Sequence, residues 1–346
     1  QITITAGLRV DVPTFFDKPT FDPRVAADGF NTDIPSGQLM LAPRIGFNVD
    51  LGERVMQIRG GVGMFTGTPA YVWYSNAYSN NGTKIGRITC TGTNVPAFST
   101  QLGGPLQCAD GTGIAAGTTI GEVNVIAKDT KFPQVLRGNL ALDRRLPGDI
   151  IATAEFMFTR GINDFFIVNR NLVEPAATNT DANGRLMYGT INANGTTTPN
   201  YVNLTLYGPS FNGGVFELRN TSNNSSWNIT TQLQKRFANH WEATLGYTYA
   251  SSNDVQSFTS SRAISNWRFG RVYAGSQLED NSATSSFARP NRLVAGLTYS
   301  APWRSAPTDI SLSYVVQSGQ PYTLTAGGSS GRGDLTADGT QNDPLY

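Results

Sequence analysis

Apolar and polar residues alternate along much of this chain. From residue 1 to residue 12, every even position is apolar and every odd position is polar or glycine. Alternation with a period of two predicts a β-strand that presents one apolar and one polar face. The same pattern recurs in eight later segments, at residues 43–51, 56–64, 136–143, 150–158, 227–234, 241–249, 292–300 and 310–317.

The connections between these segments alternate in length. Short turns are predicted at Gly52, at 147–149 and at 238–240, whereas long polar connections occupy about 66–131, a stretch centred on 179–213, and the residues leading to 287. Outer-membrane barrels combine short periplasmic turns with long extracellular loops, whereas a soluble sandwich keeps most connections short. The sequence predicts an all-β, antiparallel, up-and-down transmembrane barrel, with about ten strands of a larger barrel in this chain.

Composition supports this interpretation by exclusion. Of the 346 residues only 15% are charged, 37 are glycine, and the 26 Lys and Arg balance the 25 Asp and Glu. Nucleic-acid-binding proteins carry clustered Lys and Arg residues that bind phosphates. The charges of this chain are balanced and it has no basic run, so no nucleic-acid partner is expected. No apolar run approaches the ~20 residues of a membrane helix, and no signal segment opens the chain. A soluble secreted β-sandwich or fibre protein is the alternative with the same strand content.

The polar face of the predicted strands carries charged residues. In a strand that crosses lipid, such charges are tolerated only toward an aqueous or protein-filled lumen. The predicted lumen-facing or plug-facing residues are Arg9, Asp11, Arg44, Asp50, Arg59, Arg137, Asp143 and Glu155. Aromatic residues near strand ends, among them Trp227, Trp241, Tyr249 and Tyr299, fit an interfacial girdle, although aromatic residues favour strands in any case.

The chain offers few candidates for chemistry. Cys90 and Cys108 lie in one long loop, and a disulfide is expected in an exported protein, the alternative being two unpaired thiols. The only histidine, His240, lies in a short turn without a nucleophile motif, so neither an enzyme nor a cofactor is expected. Residues 334–339 match the opening of a calcium loop, but position twelve is Leu345 instead of Glu, which favours a plain polar turn and no metal site.

Aromatic and arginine side chains in the long loops are the candidate ligand contacts. Aromatic faces stack on flat or sugar-like ligands, and Arg pairs with carboxylates. The candidates are Tyr71, Trp73, Tyr74, Tyr78, Arg262, Trp267 and Arg268. The alternative is that these side chains pack one loop against another.

Several segments resemble the barrel strands of TonB-dependent outer-membrane receptors. They are APRIGFN (42–48), LRGNL (136–140), RFANHW (236–241), RLVA (292–295) and SGQPY (318–322). Four more, MFTG (64–67), WYSNAY (73–78), SRAISNWR (261–268) and NDPLY (342–346), are similar to the Oar-like branch of that family.

This resemblance implies a barrel of about 22 strands closed by an N-terminal plug. It also implies a location in the Gram-negative outer membrane, contact with outer-membrane lipid, and energy from the TonB–ExbB–ExbD system. The transported ligand would be bulky: a chelate, an oligosaccharide or a peptide. Residues 1–346 are expected to be a partial barrel domain, with plug, N-terminal domain and closing strands outside this chain. A passive porin-like channel or a surface adhesin barrel without energy coupling is the alternative.

Overall fold

The fold is described from a computed structural model of the chain. It describes residues 1–52, 55–84, 90–100, 107–113, 121–207, 213–270, 276–303, 305–327 and 333–345. Strands account for most of the ordered elements. In chain order the described strands are β1 (Ile2–Asp11), β2 (Met40–Leu51), β3 (Met56–Thr66), β4 (Glu122–Ile126), β5 (Gln134–Leu146), β6 (Ile150–Gly161), β7 (Asp164–Asn169), β8 (Gly189–Ile191), β9 (Thr197–Pro199), β10 (Gly214–Thr221), β11 (Ser225–Ala238), β12 (Trp241–Asp254), β13 (Ala283–Thr284), β14 (Asn291–Ala301) and β15 (Thr308–Gln317).

Helices are short and lie in the connections between strands. They are α1 (Pro23–Ala27), α2 (Tyr71–Ser79), α3 (Leu204–Tyr207) and α4 (Ala263–Arg268), with one 3₁₀ turn at Gly92–Asn94. Within the described residues, none of these helices has the length and apolar character needed to cross a membrane.

The long strands form one antiparallel sheet in up-and-down order. The path runs β1-β2-β3-β5-β6-β11-β12-β14-β15, and the short strand β13 pairs with β12 to make a ten-stranded sheet. Each long strand pairs with the next long strand in the chain, and the remaining strands lie within the long connections. This architecture confirms the antiparallel fold predicted from the alternation.

The register aligns the apolar rows of neighbouring strands on one face. Ile45 lies opposite Val62, and Leu140 lies opposite Gly60 and Phe156. This face is not covered by a second layer of the chain: Ile45 and Leu140 are each 53% exposed. A β-sandwich would bury these rows between two sheets. The apolar face therefore requires a nonaqueous environment outside the chain.

Aromatic rings mark both ends of this apolar face. Trp227 and Tyr249 pair at the end next to the long loops, with ring centroids 5.6 Å apart. Trp241 and Tyr299 pair at the end next to the short turns, at 4.6 Å. Trp241 and Tyr249 are separated by about 27 Å of strand, which a tilt of about 40° reduces to about 21 Å, close to the apolar band of a membrane barrel.

The long connections pack together into a folded unit at one end of the sheet, here called the loop cap. It contains β4, β7 to β10 and α1 to α4. Strands β4, β10 and β7 form a three-stranded sheet, in which β10 runs parallel to β4 and antiparallel to β7. Its main hydrophobic cluster includes Tyr74, Phe165, Phe216 and Trp267, which come from three different connections. The buried core of this chain thus lies in the loops, while the long strands stay exposed.

Candidate functional site

A hydrogen-bonded ion-pair network occupies the polar face of β3, β5 and β6. Arg59 Nε donates to Asp143 Oδ2 at 2.9 Å, and Arg59 Nη1 lies 3.9 Å from Glu155 Oε1. Thr153 Oγ1 donates to Asp143 Oδ1 at 2.6 Å, and Asn139 Nδ2 donates to Glu155 at 3.0 Å. The period-two register brings these side chains together from three strands, so half-buried charges are paired and hydrogen-bonded.

Three other predicted polar-face residues also have partners. The Arg9 and Asp11 side chains form an ion pair along β1, at 2.7 Å. The guanidinium carbon of Arg44 lies 4.4 Å from the centroid of the Phe65 ring, a cation–π contact between β2 and β3.

The last two members of the predicted set extend this face across the sheet. Arg137 Nε donates to Thr159 Oγ1 on β6 at 3.1 Å. Asp50 lies at the end of β2 near the short turn, where its carbonyl oxygen accepts a hydrogen bond from the N-terminal amine of Gln1 at 3.0 Å. The register places Gly63 of β3 between Arg44 of β2 and Arg137 of β5, so the polar rows form one surface across these strands, opposite the apolar rows.

Three of the aromatic ligand candidates lie inside the loop cap. Tyr74 is 3% exposed and stacks on Phe15 with centroids 5.0 Å apart, and burial raises the pKa of its phenol. Trp267 is 6% exposed in the same cluster. Trp73 packs on Phe258 at 4.4 Å and donates its indole N–H to the carbonyl of Ser260 at 3.3 Å. Trp73 thus joins α2 to the segment 258–260 that precedes α4, and the three rings hold loops together.

The other candidates lie at the edge of the cap. Arg262 Nη2 is 2.6 Å from Glu122 Oε2, and the Tyr78 hydroxyl donates to the carbonyl of Asp17 at 2.6 Å. The guanidinium of Arg268 lies 5.7 Å from the ring of its neighbour Phe269. Tyr71 is 57% exposed. Among the seven candidates, Tyr71 and Arg262 present the most side-chain surface to solvent.

Two buried asparagines that the sequence analysis did not single out fix the same region. Asn266 on α4 accepts hydrogen bonds at its Oδ1 from the backbone N–H groups of Thr259 and Ser260, at 3.2 and 3.0 Å. Asn76 on α2 donates to the carbonyl of Ser261 at 2.8 Å. Both side chains satisfy loop backbone that would otherwise be buried without partners. No sequence signal marks them, because their partners come from distant or irregular segments.

The two cysteines form a disulfide bond. Cys90 and Cys108 are linked with their Cα atoms 5.5 Å apart, which confirms the prediction. In the simple chain-entropy model, closing a loop of this size stabilises the fold by about 3 kcal/mol. The bond crosslinks the connection between β3 and β4.

A cavity of about 360 Å³ lies where the strands meet the loop cap. Its lining combines hydroxyl and amide groups with aromatic rings. The lining includes Thr159, Ser226, Ser252, Gln256 and Phe258.

Buried carboxylates gather in the segment 333–345, where the sequence predicts a plain polar turn. Asp334 is 4% exposed and accepts hydrogen bonds from the N–H groups of Asp338 and Gly339, at 3.0 and 2.9 Å. Asp343 accepts one from the N–H of Thr336 at 2.8 Å. Burial, reinforced by the charge of Asp338, raises the pKa of Asp334 to about 7 and that of Asp343 to about 6. Across the described ranges, no three His, Cys, Asp or Glu side chains are placed to hold a metal ion.

Comparison with known proteins identifies the family. No curated protein matches the sequence. The family model described as "Outer membrane beta barrel domain" matches residues 2–344, which is nearly the whole chain. The chain belongs to this family. It is therefore a β-barrel domain of the Gram-negative outer membrane, where exposed apolar rows of strands face lipid.

Solved structures similar to this outer-membrane barrel domain are receptors and transporters. A variant of the ferric enterobactin receptor PfeA of Pseudomonas aeruginosa has a TM-score of 0.37 and 11% identity, over 75% of this chain and 26% of that one. The outer membrane transporter YddB of Escherichia coli has a TM-score of 0.43 and 10% identity, over 86% and 31%.

A third similar structure is a double mutant of the Serratia marcescens hemophore receptor HasR in complex with HasA and heme. Its TM-score is 0.39 and its identity 11%, over 91% of this chain and 40% of that one. The chain therefore spans between 26% and 40% of the length of these three proteins.

Proposed function

We propose that this domain is part of the barrel of a TonB-dependent receptor that moves a bulky ligand across the outer membrane. The observation that carries the proposal is the ion-pair network of Arg59, Asp143 and Glu155 directly opposite lipid-facing rows. Charges in strands that cross lipid need water or protein on their side of the sheet. Energy coupling through TonB is included in the proposal because segments of this chain resemble TonB-dependent receptors and their Oar-like branch.

The polar rows are proposed to line the lumen and to meet a plug domain. Carboxylate and guanidinium groups that are paired with each other still have free hydrogen-bond donors and acceptors. These can bind a plug domain that moves during transport. Arg9, Asp11 and Arg137 are partly exposed in the described sheet, so they are available for such contacts.

Ligand contact is proposed for the outer edge of the loop cap, at Tyr71, Arg262 and Arg268. The exposed phenol can stack on a ring or sugar, and a guanidinium can pair with carboxylates of a chelate or peptide. Trp73, Tyr74, Tyr78 and Trp267 shape the cap behind them through the contacts described above. The chemistry of this edge admits chelates, oligosaccharides and peptides.

The experiment uses the full-length protein that contains this chain, purified in detergent. Inserted into planar bilayers, a plugged receptor is expected to give no persistent open channel, and it should bind the C-terminal domain of TonB in a pull-down. The matched control is the same protein with its TonB-interacting segment scrambled, which should lose the pull-down and keep the closed state.

Two outcomes would overturn the proposal. Stable ohmic conductance without gating would identify a passive porin-like channel. A closed barrel that does not bind TonB, in the presence of a folded cap, would identify a surface adhesin barrel without energy coupling.

A further inference from the structure

Oxygen-bearing side chains recur at alternate positions in the segment 334–342. Positions one, three, five, seven and nine are Asp334, Thr336, Asp338, Thr340 and Asn342. Position six is Gly339, with a φ of 84°, the left-handed conformation that a calcium loop requires at its sixth position. The spacing alone is also compatible with a polar turn, and the surroundings of these groups distinguish a turn from a cation site.

The three carboxylates of this segment are withdrawn from water without a cationic partner. Asp338 and Asp343 are 0% exposed and Asp334 is 4% exposed. None of the ion pairs formed by the described residues involves any of them. Burying carboxylates in this way is costly unless their charge is compensated.

Asp338 is the decisive residue. Its Oδ1 accepts hydrogen bonds from the N–H and the hydroxyl of Thr340, both at 2.7 Å. Its Oδ2 is closed to solvent and makes no hydrogen bond of good geometry. The side chains of Gln277 and Asp334 lie beside the Asp338 carboxyl and act on its pKa. The Asp338 charge acts on both Asp334 and Asp343, so the carboxylate lies within the cluster. A buried carboxylate oxygen without a hydrogen bond, beside a second carboxylate, is suited to ligate a hard cation.

We propose that residues 334–342 form a binding site for Ca²⁺. Asp334 and Asp338 would supply the carboxylates, and Thr336, Thr340 and Asn342 would supply neutral oxygens. Asp343 keeps its hydrogen bond from the N–H of Thr336 and lowers the local potential without being a ligand. Oxygen-only donors with few carboxylates favour Ca²⁺ over transition metals, and extracellular calcium modules bind at about 10⁻⁴–10⁻³ M.

The site would tie the segment to the rest of the loop cap. Thr197 on β9 donates its hydroxyl to Asp334 at 2.6 Å, and Tyr188 donates its N–H to the carbonyl of Thr336 at 2.8 Å. Asn342 Nδ2 donates to the carbonyl of Gly270, which follows α4, at 2.6 Å. A bound cation would therefore rigidify the junction of three connections.

The first test is a titration of the full-length protein in detergent after treatment with a chelator. Ca²⁺ is expected to bind saturably in isothermal titration calorimetry, with a Kd of about 10⁻⁴–10⁻³ M, and to raise the Tm of the cap. Asp338→Asn should weaken binding at least tenfold. Asp181→Asn, which changes another aspartate of the cap that pairs with Arg185, should bind Ca²⁺ as the unmodified protein does.

A second measurement keeps the proposal testable if Asp338→Asn does not fold. In the unmodified protein, Tb³⁺ luminescence excited through tyrosine should appear on binding and be displaced by Ca²⁺, since Tyr188 lies close enough for Asp338 to shift its pKa. Absence of saturable binding by either ion would overturn the site. So would an Asp338→Asn variant that folds and keeps the original Kd.

Neither the Ca²⁺ titration nor the Tb³⁺ measurement bears on the transport proposal.

Discussion

At the residue scale, the same side-chain type takes different roles according to its burial. Trp267 and Tyr71 are both aromatic residues in the long connections, and both belong to a residue type expected at ligand contacts. One is 6% exposed in the cap cluster and the other is 57% exposed. Sequence identifies the residue type but not its neighbours, because the contacts of Trp267 come from other connections far along the chain. Residue-level site prediction therefore stops at candidates.

Replacing Trp267 should separate packing from ligand contact. Trp267→Ala is expected to destabilise the loop cap by about 3–5 kcal/mol, because it empties a buried site. Tyr71→Ala should change stability by no more than about 0.5 kcal/mol, since the ring is exposed. Hydrogen exchange of residues 255–270 in the purified full-length protein measures both effects.

Trp267→Phe is the control for this prediction. The indole N–H of Trp267 is buried without a hydrogen-bond partner, so Phe removes an unsatisfied donor and keeps most of the ring volume. Exchange close to that of the unmodified protein is expected. If Trp267→Ala and Tyr71→Ala altered protection equally, the assignment of Trp267 to the core would be wrong.

At the element scale, the alternating pattern predicts the long strands well and the cap strands poorly. Each long strand has one lipid-facing row, so hydrophobicity alternates and the strand can be recognised from residues alone. Strands β4 and β7 are buried on both faces, and β7 contains the continuous apolar run Phe165–Val168. A short apolar run does not distinguish a strand from a buried helical turn. Both strands consequently lie within connections that the sequence predicts to be loops.

Pairing of the long strands should depend on glycines that the neighbouring backbone approaches closely. A Cβ at Gly61 would lie 2.8 Å from the carbonyl oxygen of Ile45 on β2, whereas a Cβ at Gly296 on β14 would meet nothing within 4 Å. Gly61→Ala is expected to cost about 1–3 kcal/mol because β2 and β3 must separate. Gly296→Ala should be neutral or stabilise by up to about 1 kcal/mol, since alanine restricts the unfolded chain.

Urea unfolding of the two variants in matched lipid vesicles measures this difference. Both glycines lie on the polar face of a long strand, so lipid contact is the same in each case and only the crowding differs. Equal midpoints for the two variants would show that the close approach of β2 to Gly61 does not limit strand pairing.

At the scale of the whole molecule, the sheet and the loop cap bury their apolar side chains in different ways. The sheet presents apolar rows outward and paired charges on its other face, while the packed core lies in the loop cap. The first feature was predictable because the pattern repeats in nine segments and each repeat points to the same face. The packed core in the loop cap was not predictable, since a core assembled from several long connections leaves no periodic signal in the sequence.

The lipid-facing rows lead to a prediction for the isolated protein. Full-length protein folded in detergent should remain monodisperse there and aggregate when the detergent is removed, because side chains such as Ile45, Leu140 and Leu245, each about half exposed, would meet water. Size-exclusion chromatography with light scattering measures this directly. Exchange into amphipathic polymer is the control, since it removes detergent but keeps an apolar coat, and the protein should then stay monodisperse. A monodisperse species in plain buffer with an unchanged β-sheet circular dichroism spectrum would mean that these rows are covered by protein, and the assignment of the apolar face to lipid would be wrong.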